Sequence, residues 1–193
     1  MKKNLFSLAF VALLGAASVQ SASAQAKMTP AGTVMVGGEA MYANKNIVEN
    51  AVNSKDHTTL VAAVKAAGLV ETLQGKGPFT VFAPTNAAFN ALPAGTVETL
   101  VKPESKATLT KILTYHVVAG NMTADKIMAA IKAGKGTATL KTVSGGTLYA
   151  TMNGPKNVVL TDEKGNVSCI STYDVIQSNG VIHVIDKVLM PKG

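Results

Sequence analysis

From Asn46 onward the apolar positions of this chain change period several times, and each change marks an element. In "NIVENAV" the residues Ile47, Val48, Ala51 and Val52 recur at helical spacing, which predicts a first short helix. Leu60, Val61, Val64 and Ala67 form the stripe of a second, with Asp56 to Thr59 as cap candidates and Gly68 as its stop. "FTVF", residues 79–82, is uninterruptedly apolar but for one threonine and reads as a buried strand. Pro84 ends it, and Thr85 or Asn86 can cap a short helix carrying Ala88, Phe89 and Leu92, with Phe89 its anchor on the sheet. A further helix has Pro103 and Glu104 at its start and Leu109, Ile112 and Leu113 as its stripe. It runs into the strand-like "YHVV" of residues 115–118. One more helix starts at Thr123 and stops at Gly134.

Beyond Thr137 the helical period disappears. Short alternating or β-branched runs are separated by Gly145-Gly146, Asn153-Gly154 and Lys164-Gly165-Asn166, a succession of hairpins. The last run, Val181 to Leu189, is apolar on both faces until Asp186, the signature of a central strand, and the preceding Asn179-Gly180 can supply the positive φ of a tight turn. A helical first half followed by a β-rich second half predicts one domain of α+β class over residues 43–193.

The first 42 residues read differently. Lys2 and Lys3, an apolar run from Leu5 to Ala17 and the small residues Ala22-Ser23-Ala24 have the layout of an export signal cleaved between Ala24 and Gln25. The apolar run is shorter than the roughly 20 residues a membrane-spanning helix needs. Residues 25–42, rich in Gly, Ala and Met without either period, are expected to be a mobile leader. The chain is therefore expected to be secreted or periplasmic, with no transmembrane anchor.

Composition changes this picture in two places. All 18 basic residues are lysines; without Lys2 and Lys3 there remain 16 against 11 acids, a net charge of +5. A mildly cationic surface without arginine or tryptophan lacks the bidentate and stacking groups of nucleic-acid recognition. The single cysteine, Cys169, has no intramolecular partner, so core packing must supply the stability. Within "NVSCIST" it reads as a small buried strand residue rather than as a nucleophile or an intermolecular bridge.

Candidate chemistry is sparse. His57, His116 and His183 lie far apart without metal-ligand spacing, and residues 162–166 lack the alternation and closing Glu of a calcium loop. The residue two before Ser144 is not glycine, so no nucleophile elbow is formed, and neither "GKGPFT" nor "GKGTAT" has phosphate-loop spacing. No catalytic residue, metal or cofactor is predicted. His57 is expected to be an exposed neighbour of a helix cap. His116, at a helix-to-strand junction, is expected to be a hydrogen-bonded partner holding the 79–92 segment in place, and His183 a member of a core strand.

Three segments carry a resemblance. "FTVFAPTNAAFNALP", "ILTYHVV" and "YDVIQSNGVIHVIDKVLMP" are similar, in this order, to the signature blocks of the fasciclin (FAS1) domain family. The likeness runs from about Asn46 to Pro191 and is closest to the small secreted single-domain bacterial type. It implies a β-sandwich or wedge packed against several helices, no general enzymatic activity, and a role in adhesion or extracellular interaction. In animal members an Asp-Ile pair and the Tyr-His motif are implicated in integrin contact. The corresponding positions are Asp174-Val175, with Val for Ile, and Tyr115-His116, so these four are the candidate partner-binding residues. The expected partner is a cell-surface or extracellular-matrix protein or glycan, met by a monomer or weak oligomer. A periplasmic carrier or sensor using an apolar groove between helices and sheet is the second reading, and a hydrolase the third.

Overall fold

The computed structural model describes residues 33–192; the expected export signal and the first part of the expected leader lie outside the described residues. From Thr33 the chain is ordered into a small hairpin, β1 (Val34–Val36) and β2 (Glu39–Met41), where a mobile leader was expected. Packing fixes it. Val36 and Met41 are buried in the core, and the Asn50 side chain accepts from Tyr42 N at 3.0 Å and donates to Tyr42 O at 2.7 Å. Three-residue strands are too short for a period to show in sequence.

Helices follow. The first, α1 (Ile47–Ala51), is opened by a capping box between Asn46 and Glu49. Next, α2 (Thr58–Ala67) ends at Gly68 in the left-handed conformation, as its sequence predicts. Its N-terminus is not capped locally. The Asn86 side chain, from the segment after the next strand, accepts from Thr59 N at 2.9 Å and donates to Lys55 O at 2.8 Å. Then come α3 (Val70–Gln74), strand β3 (Phe79–Pro84) and α4 (Asn86–Asn90), the last capped by the Thr85 hydroxyl. Helix α5 (Thr96–Leu100) shows no apolar period in the sequence, and none of its residues is buried. Helix α6 (Lys106–Tyr115), strand β4 (Val117–Ala119) and helix α7 (Ala124–Ala133) complete this half.

The remaining strands are β5 (Thr137–Lys141), β6 (Thr147–Asn153), β7 (Asn157–Thr161), β8 (Val167–Gln177) and β9 (Gly180–Ile185). Among the described residues seven strands form one sheet in the order β4-β3-β9-β8-β7-β6-β5. The sheet curls until its two ends meet at a bridge between Val118 and Thr142. The architecture is α+β, a nearly closed sheet with the N-terminal helices packed against it.

Strands β3 and β9, second and third in that order, run parallel, with Phe82 opposite His183. All six residues of β9 are buried, because the strand separates two cores. Ile182 and Val184 face the helices α1, α2 and α6, whereas Ile185 joins Phe82 and the α7 residues Ile127 and Ile131 inside the curl. A strand with a core on each face must be apolar throughout, which is the pattern its sequence shows.

Candidate functional site

The signature residues lie around the junction of α6, β3, β9 and the β8 bulge. Tyr115 and His116 are 0% and 2% exposed, and Val175 is 1% exposed. These three side chains face inward, and of the four candidate contact residues Asp174 keeps accessible surface. The reason lies in the hydrogen bonds each polar group must find once buried.

The Tyr115 hydroxyl donates to Thr147 O at 2.6 Å and accepts from Glu163 N at 3.1 Å, fastening α6 to the two turns flanking β6 and β7. Burial pushes its pKa up to about 12. Gly146 makes room for the ring, since a Cβ there would lie 2.6 Å from Tyr115 Cε2. His116 Nε2 accepts from Leu189 N at 3.0 Å, which leaves Nδ1 to carry the proton and donate to Ile112 O at 2.9 Å. Its carbonyl accepts from Phe82 N. The imidazole thus ties the helix to the C-terminal segment, and its main chain holds the first signature block. Desolvation lowers the His116 pKa to about 4, outweighing the Ile112 carbonyl and the Asp162 charge that raise it.

His183 is satisfied in the same way. Nδ1 accepts from Asp174 N at 3.3 Å, and Nε2 donates to Met122 O at 2.8 Å. The ring stacks on Phe82 with centroids 5.7 Å apart. Burial lowers its pKa too, against smaller opposing contributions from the Met122 carbonyl and Asp174. It is a core-strand residue, as expected.

Asp174 sits where β8 breaks register between Thr172 and Val175, with φ of 53°. Its carboxylate accepts from Ala124 N at 2.8 Å and so caps α7 from a distant strand, in place of Thr123, whose side chain makes no cap bond. Asp174→Ala should lose both the cap and the tolerance of Asp for the left-handed region, costing about 2 kcal/mol, whereas Asp174→Asn should stay within about 0.5 kcal/mol of wild type. Urea denaturation checks this; equal losses for the two variants would refute the capping role.

Three further expectations are corrected. His57 is 3% exposed rather than a surface neighbour of the cap: its Nδ1 lies 2.9 Å from Ser54 Oγ, while Nε2 is buried without a hydrogen bond. Cys169 is in a strand but exposed, because it falls on the outward parity of β8. Asn179-Gly180 uses no positive φ. Asn179 is there for its amide, which accepts from Ile47 N at 3.0 Å and donates to Leu73 O at 2.8 Å and Gly75 O at 2.9 Å. Gly180 is there for closeness to β3, since a Cβ would lie 2.0 Å from Phe79 O.

Carboxylates in the β-rich half are occupied by main-chain groups. Asp162 accepts from the backbone N–H of Lys164, Asn166 and Met190, Glu163 from Thr147 and Lys192, and Asp186 from Cys169. The 162–166 stretch is thus a self-bonded turn. Among the described residues no group of three or more His, Cys, Asp or Glu could hold a metal ion, and no helix is long and apolar enough to cross a membrane.

A cavity of about 80 Å³ lies between helices and sheet, walled by Leu60, Val64, Leu73, Val81, Leu113 and Ile182 among others. That is room for two or three water-sized groups, at roughly 30 Å³ each, against the roughly 300–1,000 Å³ of ordinary ligand pockets.

The sequence profile described as the Fasciclin domain matches residues 55–191. The chain belongs to the fasciclin (FAS1) family. Protein sll1483 of Synechocystis sp. is 45% identical over 192 residues, covering 99% of both chains. The cell surface glycolipoprotein MPB83 of Mycobacterium bovis is 35% identical over 171 residues, covering 86% of this chain and 68% of the other. The fold is that of the FAS1 domain pair of the insect cell adhesion molecule fasciclin I, with a TM-score of 0.66 at 17% identity; the match covers 76% of this chain and 51% of that two-domain chain. In this FAS1 domain the signature motifs are thus fastenings of the fold. The Asp174 cap and the Asn86 bond to α2 escaped sequence reasoning because each joins segments far apart in the chain.

Proposed function

We infer that this FAS1 protein acts outside the cytoplasm as a non-enzymatic interaction module, binding a cell-surface or extracellular-matrix component through its outer surface. The observation that carries this reading is the inward orientation of the signature residues. Tyr115, His116 and His183 are buried and hydrogen-bonded, so the exposed strands and turns are what a partner can meet. The cell-surface location in the name of the mycobacterial relative and the adhesion molecule that shares the fold point the same way. Asp174 is the member of the candidate contact set with surface to offer, beside the 41% exposed Ile176.

A carrier role has one observation in its favour, the apolar cavity placed between helices and sheet. Its volume weighs against it: two or three methylene-sized groups would gain only about 2 kcal/mol on burial, far less than retention of a ligand needs. The immobilised protein should bind isolated envelope or matrix material saturably, with competition by free protein. Absence of saturable binding to both fractions would refute the interaction reading, and a small molecule co-purifying in native mass spectrometry would favour the carrier.

A further inference from the structure

The outward face of β5 to β8 is almost free of charge in a chain of which 15% is charged. Cross-strand register sets Thr137, Thr151, Val159 and Cys169 in one row and Thr139, Tyr149, Thr161 and Val167 in the next. Their alternate neighbours, such as Ala150 and Leu160, point into the core, where Ile127 and Ile131 of α7 cover them. In the second row Tyr149 and Val167, 39% and 44% exposed, stand on either side of Thr161, and Thr139 flanks Tyr149 on its other side. Lys141, at the end of β5, is the charged side chain on this face, and its Nζ is directed to Thr147 Oγ1 at 2.9 Å.

We propose that this face docks an uncharged polysaccharide, with the Tyr149 ring beneath one sugar and the hydroxyls of Thr139 and Thr161 on either side of it. The inference rests on the interaction reading above and names the chemistry of its partner. One side of a pyranose ring presents C–H groups that pack on an aromatic face, while its rim presents hydroxyls that both donate and accept. Threonine hydroxyls do both as well, without the desolvation cost of a charge. Size selects among partners. Four strands at about 4.8 Å spacing, and five residues along each, give a face of about 14 by 14 Å, or about 200 Å². A stable protein partner, or a second copy of this chain, needs about 800 Å² on each side; a few sugar residues fit. A polyanion would gain nothing from these two rows, since the lysines lie at their margins and elsewhere.

Affinity gel electrophoresis of the purified protein tests this, with gels containing dextran, hydroxyethyl-cellulose or galactomannan, and polygalacturonate as the acidic comparison. At least one neutral polymer should retard the protein equally at low and high salt. Tyr149→Ala should weaken that retardation roughly tenfold and Tyr149→Phe hardly at all, as a stacking contact requires, both variants melting like wild type. Retention of full binding by Tyr149→Ala would overturn the proposal. So would retardation by polygalacturonate alone that vanishes in salt, or a dimer in sedimentation that Tyr149→Ala abolishes. If the protein binds envelope or matrix material but no neutral polymer, this inference fails and the interaction reading stands; binding to neither removes both.

Discussion

Gly180→Ala should destabilise the protein by at least about 3 kcal/mol, at or beyond the upper end for an added methyl group in a packed interior. The added Cβ would meet Phe79 O at 2.0 Å and Phe79 C at 2.9 Å. Both are main-chain atoms of β3, the strand that pairs with β9 through six consecutive residues. A flexible side chain could move aside; a strand fixed on both sides cannot shift without opening the pairing that separates the two cores. Gly154→Ala is the informative comparison. Gly154 has φ of +79° and nothing within 4 Å of its Cβ position, so that variant carries only the left-handed strain of about 1 to 2 kcal/mol. Urea midpoints for the two variants check the argument, and equal losses would show that β3 and β9 are less tightly held than their geometry says.

Acid should destabilise this protein through its histidines. His57, His116 and His183 all have pKa values lowered by burial, and His116 and His183 each accept a main-chain N–H on the nitrogen that would have to be protonated. The unfolded chain, with histidine near its ordinary 6.5, binds these protons before the folded one. Their contribution to stability is therefore complete above about pH 6.5 and is lost as the pH falls through the window down to the folded values. For His116, with a folded value of about 4, the loss amounts to about 3 kcal/mol at the bottom of that window. Urea midpoints measured across this range should fall steeply for wild type. His116→Gln should be less stable at neutral pH and have a shallower pH dependence, because one titrating group has gone. Identical slopes for the two proteins would remove His116 from the account.

Particular residues explain what was legible in the sequence. The stripe of α2 and its stop at Gly68, the Thr85 cap of α4 and the unbroken apolar run of β9 are local signals, in which the residues that make the element are neighbours in the chain. His57 and Cys169 were misread for one shared reason. His57 lies in a three-residue turn and Cys169 on the outward parity of β8, and in both places the solvent and core faces are chosen by which distant element packs there. Asn179-Gly180 was misread differently: its composition suits a turn, but its amide and its missing Cβ answer to α1, α3 and β3, more than a hundred residues away in the case of Leu73, Gly75 and Phe79.

The α+β class, the order of most elements and the family are readable from the chain alone, because hydrophobic period and capping chemistry are short-range and written in adjacent residues. It takes the packed fold to turn the Tyr-His motif and Val175 inward, to set Asp174 as the cap of α7, to curl the sheet until β4 meets β5, and to bring two uncharged rows around Tyr149 onto one outward face. Those facts depend on strand register and on bonds between segments distant in the chain, and no local pattern encodes which segments will meet.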